Sequence, residues 1–129
     1  MKMILPVALC LALSNTAQAG QNYSRSLTEC SAIYTAMLMK PTAVARNTRD
    51  GGQQVRDSAI AYLDRAMVEA RREGRQRPAL VVTADHNELM QKWTPKVYAA
   101  SAITETKDWL DYCHSFGAHL GLPTLRPTS

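Results

Sequence analysis

Apolar residues recur at three- and four-residue steps through most of this chain, which is the period of a helix face. Leu27, Cys30, Tyr34, Met37 and Leu38 form the first such stripe. It follows Ser26-x-x-Glu29, a capping-box pattern in which the serine oxygen accepts from an orphan backbone N–H and the glutamate reaches back. Pro41 disfavours helical geometry at Lys40, so the first helix is expected to stop there. Positions 41–52, rich in Thr, Arg and Asn and closing on Asp50-Gly51-Gly52, read as a polar loop.

The second stripe is the clearest. Val55, Ala59, Tyr62, Ala66 and Ala70 keep helical spacing, and Ile60, Leu63 and Met67 widen the apolar face. Arg71 and Arg72 fall in the last turn, where cations complement the helix dipole, and Gly74 is suited to end the element. Arg75 to Pro78 suits a linker, while Ala79-Leu80-Val81-Val82 fits either the opening of a helix or a short extended piece. Helical spacing resumes through Leu89, Met90 and Trp93, with Glu88 and Lys92 as an i,i+4 pair. Thr94-Pro95 reads as an N-cap with proline at the first helical position, in preference to a kink in one long helix. A last stripe, Trp109, Cys113, Phe116 and Leu120, is closed by Gly121 and Pro123, with a loose tail beyond.

The N-terminus has a different pattern. Met1-Lys2-Met3 is a short basic start, Ile4 to Leu13 is unbroken and apolar, and Ala17-Gln18-Ala19 is a small-x-small triplet. The layout is that of a secretory signal peptide cleaved before Gly20, since a bilayer span needs about twenty apolar residues. The expected organisation is therefore a signal peptide over 1–19, a single helical domain over 20–122 and a flexible tail over 123–129. It places the mature chain in a bacterial periplasm or outside the cell, with no membrane-spanning segment.

Export changes the meaning of the cysteines. Cys10 leaves with the signal peptide; bulky Leu9 before it argues against a lipoprotein cysteine. Cys30 and Cys113 remain, and without a C-x-x-C spacing they are expected to form one structural disulfide. Each lies within the apolar stripe of its own helix. The fold expected is thus all-α, a small antiparallel bundle of about four helices whose first and last members are bonded through Cys30 and Cys113.

Charge and chemistry add less. The formal charge of +4 falls to +3 once Lys2 is removed, too modest for a nucleic-acid protein, and the compartment is wrong for one. Arg71, Arg72, Arg75 and Arg77 form a basic cluster, a candidate patch for a protein partner or an anionic surface. Asp57, Asp64, Glu69 and Glu73 alternate with arginines and read as a solvated, salt-bridged face. His86, His114 and His119 fit no H-E-x-x-H motif, and five residues turn His114 and His119 about 140° apart on a helix. No G-x-S-x-G elbow or phosphate loop occurs. An enzyme would need a cleft joining groups such as His86, His114 and Asp111. The expectation is a non-enzymatic binding or accessory module without cofactor, its partner an unknown protein. The alternative is a small-ligand, haem or metal carrier with a pocket near Trp93, Trp109 and the methionines, where Met37 or Met39 could pair with His114 or His119 on haem iron.

Overall fold

The computed structural model of the protein describes residues 21–39 and 52–123. The proposed signal peptide, most of the polar loop after Pro41 and the last six residues lie outside the described residues. Among the described residues there are four α-helices, α1 Tyr23–Met37, α2 Gln53–Arg72, α3 Pro78–Trp93 and α4 Ile103–Leu120, the last preceded by a 3-10 turn at Ala100–Ala102. No strand occurs among the described residues. The Cys30–Cys113 disulfide joins α1 to α4, with the two Cα atoms 5.7 Å apart.

α1 is the axis of the molecule. It is buried on nearly every side, not along one stripe: Ser24, Ser26, Thr28, Glu29 and Ser31 are as enclosed as Leu27, Ile33 and Tyr34. Small hydroxyl side chains make this possible because they fill little space and satisfy themselves on nearby backbone. Thr28 Oγ1 donates to the Ser24 carbonyl at 2.7 Å, and Ser31 Oγ donates to the Ala59 carbonyl of α2 at 2.7 Å. Opposite them, α2 presents Ala59, Ala66 and Ala70, which let the two backbones approach closely. The pairs Ser24–Glu73 and Ser31–Ala59 show that α2 runs antiparallel to α1. The pairs Arg25–Asp85 and Glu29–Trp93 show that α3 runs back parallel to it.

Helix ends follow local chemistry, with two departures from the pattern expected of the sequence. The capping box does not form. α1 begins three residues before Ser26, with Asn22 at its N-cap, and a carboxylate from another helix serves its first turn: Glu73 accepts from the Ser24 backbone N–H at 3.0 Å. Thr94-Pro95 does not start a helix either. α3 ends at Trp93, residues 94–98 are turns, and α4 begins only at Ile103. The open choice at Ala79–Val82 resolves as helix, with Pro78 in the first turn of α3 and Arg77 before it at φ +52°. Gly74 (φ +74°) and Gly121 (φ +73°) each close a helix by adopting the left-handed conformation. The Arg75 N–H then reaches the Ala70 carbonyl and the Leu122 N–H the Gly117 carbonyl, the bonds of a Schellman end.

Val55, Ala59, Tyr62, Ala66 and Ala70 are buried as their spacing predicts, and Leu63 and Met67 pack at the edge of the core. Ile60 does not belong to that face; it is 58% exposed, because one step from Ala59 carries it about 100° around the helix. α4 sits at the margin, with only Thr106, Cys113 and Gly117 fully enclosed. Trp109, Phe116 and Leu120 pack half-buried against the core, and Tyr62 donates its hydroxyl to the Cys113 carbonyl at 2.5 Å. Leu122 also packs on the core, and the Pro123 carbonyl accepts from Ser58 Oγ, so the chain is still attached at the start of the expected tail.

Candidate functional site

Two polar networks converge where α1 begins. In the first, Asp85 of α3 is held between two guanidinium groups, Arg75 at 2.9 Å and Arg25 at 3.1 Å. Arg25 also reaches Glu88 at 3.0 Å, and Arg75 donates to Ser24 Oγ, which itself donates to Glu73. Burial opposes the Arg25 charge, but Glu88, Asp85 and Glu29 outweigh it and raise its pKa. The chain of contacts ties the start of α1 to the end of α2 and the middle of α3.

The second network is centred on Glu29, a carboxylate only 2% exposed. Its Oε1 accepts from the Trp93 indole N–H at 2.9 Å and from Lys92 Nζ at 2.8 Å, and its Oε2 accepts from Gln21 Nε2 at 3.3 Å. A buried carboxylate is tolerated because each oxygen has a donor and a cation stands beside it. Lys92 lies over the rings of both Trp93 (5.2 Å) and Trp109 (5.8 Å), and Lys96 covers Trp93 from 5.7 Å.

Trp93 starts a run of aromatic rings that leads from the core to the surface. Trp93 meets Trp109 edge-on at 6.1 Å, Trp109 meets Tyr112 at 5.4 Å, Tyr112 stacks on Phe116 at 5.4 Å and Phe116 touches Tyr23 at 5.1 Å. These spacings are those at which rings attract. The run begins inside and reaches the surface at two rings: Trp93 is wholly buried, Trp109 and Phe116 are half-buried, and Tyr112 is 38% and Tyr23 52% exposed. Beside it, α1 and α4 leave an open pocket of about 80 Å³ lined by Gln21, Ser26, Asp108, Trp109 and Tyr112. For scale, an apolar cavity of about 150 Å³ holds one benzene, so this pocket suits a single small group.

The four clustered arginines differ in their surroundings. Arg75 turns inward to Asp85 and Ser24, and Arg72 pairs with Glu69 at 3.0 Å; Arg71 and Arg77 are exposed. Arg65 also pairs with Glu69, and Gln53 donates to Asp57, so α2 carries part of the salt-bridged face its sequence suggests. Of the histidines, His114 stacks against Tyr34 and His119 is exposed near the end of α4. His86 is half-buried on α3, and that burial lowers its pKa from 6.5. Asp111 pairs with Lys107 at 3.4 Å, and none of His86, His114 or Asp111 lines the pocket. Among the described residues no cluster of His, Cys, Asp or Glu has the form of a metal site, and no helix is long and apolar enough to cross a membrane. Met37 packs at the core edge and Met39 is 61% exposed.

Sequence periodicity points to Trp109 and Phe116 but not to the pocket. Gln21 and Asp108 are ordinary polar residues in the sequence, and Ser26 and Glu29 invite the capping-box reading. The retrievable signal is the aromatic spacing Trp109, Tyr112, Phe116 at three and four residues, which places all three rings on one side of α4.

The class this fold defines is a disulfide-bonded α-protein, with four α-helices and one aromatic face among the described residues. No protein-family model, curated protein or solved structure matches the chain.

Proposed function

We propose that this protein is an exported, non-enzymatic helical module that binds a protein partner through the aromatic face of α1 and α4, in a bacterial periplasm or outside the cell. The observation that carries the reading is the ring run from buried Trp93 to exposed Tyr112 and Tyr23, which presents aromatic surface anchored to the core. Tyrosine and tryptophan are the residues that most often dominate binding energy, and rings already fixed by their neighbours lose little freedom when a partner arrives. The buried Cys30–Cys113 disulfide supports an oxidising compartment, as does the signal-peptide pattern of residues 1–19. Arg71 and Arg77 are left as a smaller basic surface, weaker as an anion site because Arg75 is bound to Asp85.

Site-specific photo-crosslinking in the native host tests this reading. A photoreactive side chain at Tyr112 or Tyr23 should yield one discrete conjugate, and the same group at Val68, exposed on α2, should not. Equal labelling from all three positions, or labelling confined to a probe at Arg71, refutes the aromatic face as the interface. The pocket beside Trp109 gives the small-ligand alternative its one specific support. A low-molecular-weight species retained by the purified protein in native mass spectrometry would favour that alternative.

A further inference from the structure

We propose that the pocket beside Trp109 receives a cationic side chain, lysine or arginine, presented by the partner protein. This rests on the reading of the aromatic face as the interface and adds the chemistry of what enters it. Two of the pocket's five lining residues are aromatic and a third is a carboxylate. α4 carries three acidic residues, and two are engaged: Glu105 with Lys96, and Asp111 with Lys107. Asp108, which lines the pocket, has no ion pair or hydrogen bond among the described residues and is exposed.

The remaining polar wall also presents acceptors. Gln21 directs its amide nitrogen to Ser26 Oγ and Glu29, so its carbonyl oxygen is the atom left for a ligand. Glu29 accepts but never donates as a carboxylate, which fixes that amide orientation. Lys92, which lies over the Trp109 ring, is neutralised by Glu29 at 2.8 Å, and Asp108 is the charged residue in the pocket lining. Aromatic faces beside one unpaired carboxylate select an alkyl stem ending in positive charge. An anion would meet Asp108, and a neutral apolar group would draw no attraction from it. A volume of about 80 Å³ admits one side-chain end, not a ring system such as haem.

The test is a nitrogen-15 NMR titration of the oxidised mature protein with the N-acetyl methylamides of lysine, arginine and norleucine. Lysine or arginine derivatives should shift the Trp109 indole and the Asp108 and Gln21 amides saturably. Binding should weaken roughly tenfold in Asp108→Asn and with added salt, while norleucine binds at least tenfold less well. Norleucine binding as well as lysine, or no saturable shift up to about 50 mM of any derivative, overturns the proposal. Crosslinking through Tyr112 reports separately on the partner interface, so the pocket can fail while that interface stands.

Discussion

α1 and α4 are the two ends of one disulfide, yet they are held in different ways. α1 is enclosed by its neighbours, with eleven of its fifteen residues buried. Its small hydroxyls, its alanines and Glu29 all find partners inside the protein. α4, longer at eighteen residues, buries only Thr106, Cys113 and Gly117 and otherwise leans on the core through half-buried rings. One helix is held by packing around its circumference; the other is held by a covalent bond, the Tyr62–Cys113 hydrogen bond and an aromatic edge. The difference teaches that the helix least committed to the core is the one that carries the candidate binding face. A staple lets a peripheral helix keep its aromatic side chains partly outward without losing its place.

Breaking the staple should have the largest effect. A bond across 83 positions lowers the entropy of the unfolded chain by about 4–5 kcal/mol on the loop-closure model, and the Cys30→Ser/Cys113→Ser variant should lose that much in denaturant unfolding. A loss under about 1 kcal/mol would mean that packing alone secures α4. Next comes the buried carboxylate. Glu29→Leu leaves the Trp93 indole N–H without its acceptor and should cost about 2–3 kcal/mol, read by urea denaturation with a red-shifted Trp emission. Ser31→Ala removes the one hydroxyl that ties α1 to the Ala59 carbonyl and should cost about 1 kcal/mol in the same assay, with α4 unaffected.

The smallest expected effect is on pH dependence. Burial holds the folded-state pKa of His86 below 6.5, so the neutral ring is the form that fits. The unfolded chain therefore binds the proton first as pH falls. Stability from this site is complete above 6.5 and is lost as pH drops from there through the lowered folded pKa. His86→Leu should flatten the stability profile between pH 6.5 and acid; an unchanged slope would assign the dependence to other groups.

The architecture was legible where periodicity and burial coincide. The alanine and tyrosine stripe of α2, the glycine stops at Gly74 and Gly121, and the pairing of the two cysteines all agree with what spacing and local chemistry predict. α1 was half legible: its stripe gives the face toward Cys113, but the hydrophobic pattern is silent about the opposite side, which serines and threonines bury. Ser26 and Glu29 show why. As a sequence pair they read as a helix cap. In three dimensions another helix provides Glu73 to serve the first turn, and Glu29 is released to bind Trp93 and Lys92. Of the pocket only the Trp109 side was legible, through the carrier alternative that places a pocket near Trp93 and Trp109; Gln21, Ser26 and Asp108 come together only when α4 is fastened across α1. The inward turn of one member of the arginine cluster is hidden for the same reason: nothing local says that Arg75 will face Asp85.

The contrast between the two helices is tested most directly by amide hydrogen exchange in the Cys30→Ser/Cys113→Ser variant against the oxidised protein. The account predicts that amides of α4, from Ile103 to Leu120, lose markedly more protection than those of α1 and α2, which fall only by the global loss of stability that the missing bond brings. Uniform loss across all four helices, or protection of α4 unchanged, would contradict it.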